Sequence, residues 1–118
     1  MMDPFEIYIA YASWGSVGKK RPVLVLRTNN DVTVVNPITS QYENKSKEIR
    51  KRYFKINDWS KAGLDKLSYV DTNTRLFFSE SAISDRKPIG KLTPGDKKRF
   101  AEFLSAQNNA KTYKFKRR

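Results

Sequence analysis

Short runs of apolar and aromatic residues alternate with polar turns along most of the chain, a pattern typical of antiparallel β-structure. The clearest run is Pro-Val-Leu-Val-Leu at 22–26, which predicts a central strand covered on both faces. Pro22 is expected at its first position, where a missing N–H is tolerated. Roughly five to seven short strands at such close spacing favour a small, strongly curved antiparallel barrel. The segments with this pattern are 6–12, 22–26, 32–38, 52–56, 67–70, 75–78 and 89–92.

The C-terminal part of the chain predicts an amphipathic helix. At its start, Thr93 and Asp96 form a capping-box pattern, and Pro94 is suited to the first turn. Three apolar residues at helical spacing give it one buried face: Phe100, Phe103 and Leu104. The pattern fades at 107–109. We therefore expect one domain over 1–110, followed by a mobile basic tail over 111–118.

Two further turns are predicted within the barrel. Residues 57–63 have the pattern of one helical turn, with Gly63 ending it in the left-handed conformation. The pair Asn-Asn at 29–30 predicts a tight hairpin turn, because asparagine accepts a positive φ. In that register Arg21 comes opposite Ile38, next to Thr39. The segment 39–51, which is polar and basic, is predicted to be a long surface loop.

The charge balance points to a polyanionic partner. The chain of 118 residues has 24 Lys and Arg against 12 Asp and Glu, a formal net charge of +12. Basic side chains beside phosphates release condensed counterions, which favours binding to nucleic acid. A solvated basic surface or an anionic membrane would account for the same charge. No apolar run is long enough to span a membrane and the N-terminus lacks the pattern of a signal peptide, so we expect a cytoplasmic protein.

The absence of histidine and cysteine excludes most nuclease mechanisms. With no His and no Cys, the chain has no histidine acid–base pair, no thiolate nucleophile and no zinc site of the usual ligands. The carboxylates are scattered rather than clustered, so no metal site is expected. Catalysis would have to use Arg, Lys, Tyr, Ser, Thr or an isolated carboxylate.

Two segments combine basic and hydroxyl groups at ends of the predicted hairpin strands. They are Gly-Lys-Lys-Arg-Pro at 18–22 and Ile-Thr-Ser-Gln-Tyr at 38–42. The guanidinium of Arg21 has the planar fork of donors that matches phosphate oxygens, and the hydroxyl of Thr39 can donate to a developing charge. Arginine is a poor base because of its high pKa. Each residue also has a plain interpretation, as a solvated charge and as a residue at a strand end.

A second basic stretch interleaves cations with aromatic residues. It fits a groove for single-stranded nucleic acid as well as it fits a solvated loop, and both interpretations stay open. Its members are Tyr42, Lys45, Lys47, Arg50, Lys51, Arg52 and Tyr53.

The two hairpin segments resemble the sequence motifs of the MazF/PemK family. Gly-Lys-Lys-Arg-Pro-Val-Leu-Val-Leu at 18–26 is similar to its G-x-x-R-P-V-L-V-L signature, and Asn-Pro-Ile-Thr-Ser-Gln at 36–41 to its second motif. The segments 55–64, 68–71 and 89–93 are also similar to a branch of this family. The resemblance covers nearly the whole chain, and the two motifs in this order are its most specific part.

The resemblance implies a fold and a function. The fold would be an SH3-like barrel with a C-terminal helix, acting as a homodimer. The protein would be the toxin of a type II toxin–antitoxin system. It would be an endoribonuclease that cuts single-stranded RNA at a short sequence motif, needs no cofactor or metal, and leaves a 2′,3′-cyclic phosphate and a 5′-hydroxyl. An antitoxin with an acidic tail would block the RNA groove, and the two would bind DNA together. The catalytic pair would be Arg21 and Thr39, with weaker expectations of RNA contact for Lys19, Lys20, Ser40, Gln41 and Tyr42.

Two alternatives remain at this point. One is a binding module of the same barrel class that holds nucleic acid without cutting it. The other is a toxin that poisons DNA gyrase, since a related toxin family shares this fold. The motif pair favours the nuclease over both.

Overall fold

A computed structural model describes residues 3–12, 19–79 and 87–116 of the protein. Within these ranges, seven antiparallel strands form one strongly bent sheet, and a long C-terminal helix, α2 (Pro94–Lys116), follows it. A one-turn helix, α1 (Lys47–Arg50), lies within the segment that the sequence predicts to be a loop. The strands are β1 (Glu6–Ala12), β2 (Lys19–Asn29), β3 (Val32–Thr39), β4 (Tyr53–Lys55), β5 (Tyr69–Asp71), β6 (Leu76–Ser79) and β7 (Gly90–Lys91).

The strand order makes β3 the pivot of the sheet. The path runs β4-β5-β3-β2-β1-β7, and β6 pairs with β3 as well. The first half of β3 pairs with β6, whereas its last residues, Ile38 and Thr39, pair with Val70 and Tyr69 of β5. One strand thus belongs to two parts of the sheet, which bends it into a barrel-like shape. This confirms the mainly β, barrel-like fold with a C-terminal helix.

β2 is buried on both faces, as the apolar run predicts. Leu24 belongs to the main core, which includes Phe54 and Phe100 from β4 and α2. Val23 and Val25, its neighbours along the strand, belong to a second cluster on the other face. Because side chains alternate along a strand, such double burial requires an unbroken apolar run.

Three predictions of detail are wrong. Pro22 lies inside β2, not at its start; it is tolerated there because the ladder to β3 begins only at the pair Val23–Pro37. The hairpin turn is Asn30-Asp31, not Asn29-Asn30. Of the two asparagines, Asn30 is the one with a positive φ, of 57°. The last helix continues past 107–109 to Lys116, so its backbone includes most of the segment expected to be a tail.

The turns that frame the barrel agree with the sequence. Gly63 has a φ of 92° and ends the turn over 57–63, where the N–H of Ala62 donates to the carbonyl of Asp58 at 3.0 Å. At the start of α2, the N–H of Asp96 donates to the hydroxyl of Thr93 at 3.3 Å. Asp96 is buried, and its carboxylate accepts a bond from the N–H of Asp58 at 2.9 Å, which ties the helix to this turn.

Candidate active site

The candidate site forms where β3 leaves β2. The ladder between these strands stops at Val23–Pro37. Beyond it Arg21 stays paired with Ala10 of β1, while Ile38 and Thr39 pair with β5. The two strands therefore diverge, and the half-buried side chains of Arg21 and Thr39 border the gap between them, whereas Ile38 is buried.

Two cavities open on either side of this gap, and Arg21, Ile38 and Thr39 line both of them. The first, here named the Tyr53 cavity, has a volume of about 230 Å³. The second, here named the Lys66 cavity, has a volume of about 170 Å³. The Tyr53 cavity is completed by Pro37, Gln41, Lys45, Tyr53 and Asp71. The Lys66 cavity is completed by Lys20, Pro22, Ser40, Leu64, Asp65, Lys66 and Ser68.

The hydroxyl of Thr39 is oriented by the turn that follows β3. Its Oγ1 accepts a hydrogen bond from the backbone N–H of Gln41 at 3.0 Å. A hydroxyl that accepts in this way can still donate its own hydrogen. The Gln41 side chain is held as well, because its Oε1 accepts from Nδ2 of Asn44 at 3.2 Å. Thr39 is thus a positioned donor beside Arg21.

Cations outnumber carboxylates in both cavities. The Tyr53 cavity has Arg21 and Lys45 against Asp71. The Lys66 cavity has three cations, Lys20, Arg21 and Lys66, against Asp65. Each cavity therefore carries a positive balance that favours a phosphate, together with one carboxylate able to accept a proton or a donor group.

Asp71 is fixed and affects its neighbour Tyr53. Its Oδ1 accepts the N–H of Asn73 at 2.9 Å, and its Oδ2 accepts the hydroxyl of Thr74 at 3.0 Å. Burial raises the pKa of Tyr53 above its usual value, and the negative charge of Asp71 raises it further. The phenol of Tyr53 consequently stays protonated at neutral pH and can act as a donor in the cavity.

Tyr42 lies next to the two cavities rather than in their walls. It is not among the residues that line the two cavities; its ring stacks on Tyr69, with centroids 4.3 Å apart and planes at 8°. The guanidinium of Arg50 lies 5.6 Å from the same ring, and its Nε donates to the carbonyl of Lys45 at 3.0 Å. These contacts fix the backbone that carries Lys45. Burial raises the pKa of Tyr69, with smaller contributions from Tyr42 and Glu43.

The structure brings together most of the residues expected at the site. Arg21, Thr39, Lys20, Ser40 and Gln41 all line the cavities. The side chain of Lys19 lies outside the described residues. Sequence reasoning missed the two carboxylates, because each is isolated along the chain. The lining residues it did not single out as site residues are Lys45, Tyr53, Asp65, Lys66 and Asp71.

No group of three or more acidic side chains in the described ranges comes together in a way that could hold a metal ion. Within those same ranges, no helix is long and apolar enough to cross a membrane.

The chain thus forms a small antiparallel barrel with a C-terminal helix and a basic cleft at the end of its central hairpin, and it shares its fold with a MazF toxin. A solved structure of this type, the Mycobacterium tuberculosis toxin MazF-mt6, matches this chain with a TM-score of 0.66. The match covers 88% of this chain and 96% of that chain at 20% sequence identity, and so shows a common fold. The fold thus confirms the resemblance seen in the motifs. No model of a protein family matches the sequence, and no curated protein sequence matches it.

Proposed function

We propose that this protein is an endoribonuclease that cuts single-stranded RNA without a metal ion, and that it acts as a toxin. The observation that carries the proposal is that Arg21 and Thr39 line the same two cavities at the open end of the central hairpin. The MazF-like fold and the two sequence motifs at this hairpin support it.

The proposed reaction is a transesterification. The 2′-oxygen of the ribose attacks the adjacent phosphorus, a bond from the 2′-oxygen to phosphorus forms, and the bond from phosphorus to the 5′-oxygen breaks. A general base takes the proton of the 2′-hydroxyl, and a general acid protonates the leaving 5′-oxygen. The products are a 2′,3′-cyclic phosphate and a 5′-hydroxyl.

The roles follow from the chemistry of the side chains. The fork of Arg21 would hold the non-bridging oxygens and stabilise the extra charge of the pentacoordinate intermediate. The hydroxyl of Thr39 would donate to the same oxygens. Asp71 is the carboxylate that lies beside this pair in the Tyr53 cavity, so it is the candidate proton acceptor. Lys20, Ser40 and Gln41 would contact the substrate around them.

The same site suggests how a toxin of this kind would be inhibited. An antitoxin with an acidic tail would compete with RNA for the cations of the two cavities, in keeping with the net charge of +12. We propose such a partner and a homodimer of this chain on the strength of the motif resemblance and the shared fold.

The test is cleavage of a long mRNA by the purified protein in EDTA. We expect cuts with cyclic phosphate and 5′-hydroxyl ends. Arg21→Ala should slow the reaction about 10²- to 10³-fold, the effect of removing one donor to a transition-state oxyanion. The matched control is Arg27→Ala, because Arg27 is exposed on the same strand, away from the cavities.

Two conservative variants test the role of the Thr39 hydroxyl. Thr39→Val removes the hydroxyl at equal size, whereas Thr39→Ser keeps it, so only the first should lose activity. Intact RNA, or equal rates for wild type and Arg21→Ala, would contradict the proposal. RNA that is retarded on a gel but not cut would identify a binding module, and trapped DNA breaks with intact RNA would identify a gyrase poison.

A further inference from the structure

Arg21, Ile38 and Thr39 line both cavities and are here named the ridge; Ile38 is buried, so Arg21 and Thr39 are the members whose side chains can contact a ligand. If the scissile phosphate sits on this ridge, as the proposed function requires, the chain on its two sides enters two different cavities. Each cavity is below the roughly 300 Å³ at which pockets for drug-sized ligands begin. Each is therefore suited to one nucleoside rather than to a longer stretch.

Within the described residues, the two cavities differ in their carboxylates, and the carboxylate in the wall of the Lys66 cavity is the unpaired one. Asp65 and Lys66 are exposed, and neither side chain makes a hydrogen bond or ion pair within the described parts of the chain. In the Tyr53 cavity, by contrast, both oxygens of Asp71 already accept bonds from Asn73 and Thr74. An unpaired carboxylate and an unpaired ammonium can recognise a base by hydrogen bonds to the donors and acceptors along its edge.

The segment that carries Asp65 and Lys66 is fixed at both ends. On one side the N–H of Leu64 donates to the carbonyl of Trp59 at 3.0 Å. On the other side the hydroxyl of Ser68, a buried residue, donates to the carbonyl of Lys66 at 2.8 Å. The backbone that carries the two recognition groups is therefore ordered before a ligand binds, which favours specificity.

We propose that the Lys66 cavity is a base-recognition subsite next to the scissile phosphate, and that it prefers guanine. A carboxylate only accepts hydrogen bonds. Guanine offers it two adjacent donors, N1–H and the 2-amino group, beside an O6 acceptor for Lys66. Adenine and cytosine each offer a single amino group, and uracil offers one N–H between two carbonyl oxygens. The inference rests on the proposed function for the position of the phosphate.

The first arm of the test is sequencing of the 5′ ends that the protein produces from a random RNA pool. Wild type should favour guanine at one position beside the cut. Asp65→Asn and Lys66→Gln should reduce that preference at least about fivefold, the low end for loss of a bidentate base contact, while cleavage continues. The charge-matched controls Glu102→Gln and Lys98→Gln, on the exposed face of α2, should keep it.

The second arm does not depend on cleavage. Short 2′-O-methyl oligonucleotides that differ only in one base, guanine, adenine, cytosine or uracil, are titrated against wild type and Asp65→Asn. Wild type should bind the guanine oligomer at least about fivefold more tightly, and Asp65→Asn should lose the difference. Equal affinities for the four oligomers would overturn the subsite. Guanine preference without any RNA cleavage would instead contradict the nuclease and leave the subsite standing.

Discussion

One extra residue in β2 decides which side chains meet at the candidate site. Near the turn Arg27 pairs with Val34, but after a bulge at Leu26 the next pair is Val25 with Val35. The ladder keeps this shifted register up to its last pair, Val23 with Pro37, just before Arg21 on one strand and Ile38 and Thr39 on the other. Without the bulge, every side chain of β2 beyond it would move one position along β3 and face the other side of the sheet.

The two tyrosines with raised pKa values predict how stability depends on pH. Tyr53 and Tyr69 have pKa values above the ordinary value of 10.0, chiefly because burial disfavours the phenolate. When a tyrosine has a higher pKa in the folded than in the unfolded state, its contribution to the free energy of unfolding is fully present below the unfolded pKa. That stability is lost as the pH rises through the folded pKa. The free energy of unfolding should therefore fall above about pH 10.

The measurement is urea unfolding at a series of pH values from neutral to alkaline, with phenolate formation followed by ultraviolet absorbance. The double variant Tyr53→Phe, Tyr69→Phe should show a smaller alkaline loss of stability than wild type, because it cannot form these phenolates. Equal losses in the two proteins would mean that neither tyrosine is shielded from water.

At the scale of elements, the position of the Lys66 cavity depends on a close contact between two backbones. A Cβ on Gly90 would overlap the carbonyl oxygen of Ala62, and a Cβ on Gly63 would overlap that of Ile89. The turn over 57–63 and strand β7 thus touch through their glycines, which fixes where the following residues of the cavity wall lie. Gly63 is also strained for any other residue by its φ of 92°.

Gly90→Ala should therefore destabilise the protein by about 2–3 kcal/mol, since the two backbones must move apart. Gly95 is the matched control: nothing lies within 4 Å of a Cβ placed there. In the first turn of α2, Gly95→Ala should be neutral or stabilise by up to about 1 kcal/mol. Chemical denaturation measures both. A Gly90→Ala protein as stable as the Gly95→Ala protein would show that this contact is absent.

These elements also show where the sequence is informative. The N-cap at Thr93 and the stop at Gly63 could be predicted because each depends on local chemistry. The turn at 30–31 and the bulge at Leu26 could not, because either asparagine at 29–30 accepts a positive φ and only packing selects the register. The predicted pair of Arg21 with Ile38 does not form, because the ladder ends at Val23 with Pro37, yet both residues line the two cavities together with Thr39. Asp65 and Asp71 had no local pattern to reveal them.

At the scale of the whole molecule, α2 supports the wall of the Tyr53 cavity. β4 is an end strand of the sheet path, and exposed strand edges tend to pair with other chains. Arg99 donates to the carbonyl of Lys55 at 3.3 Å, and Gln107 donates to that of Lys51 at 3.5 Å. The helix thus covers the edge next to Tyr53, so the cavity wall is held by the long-range packing of the chain's last element.

The net charge of +12 raises the question of whether RNA binds the site or the basic surface in general. Binding of single strands weakens with salt, with a slope of log K against log salt of about −0.7 for each phosphate neutralised. If the cavities hold the strand, replacing Lys20 and Lys45 together by glutamine should reduce the size of this slope by about 1.4. Replacing Lys91 and Lys98, which are exposed and away from both cavities, should change it little. Titrations of an uncleavable 2′-O-methyl strand at several salt concentrations compare the two pairs. Equal changes would indicate diffuse attraction to the whole surface and would contradict a localised groove.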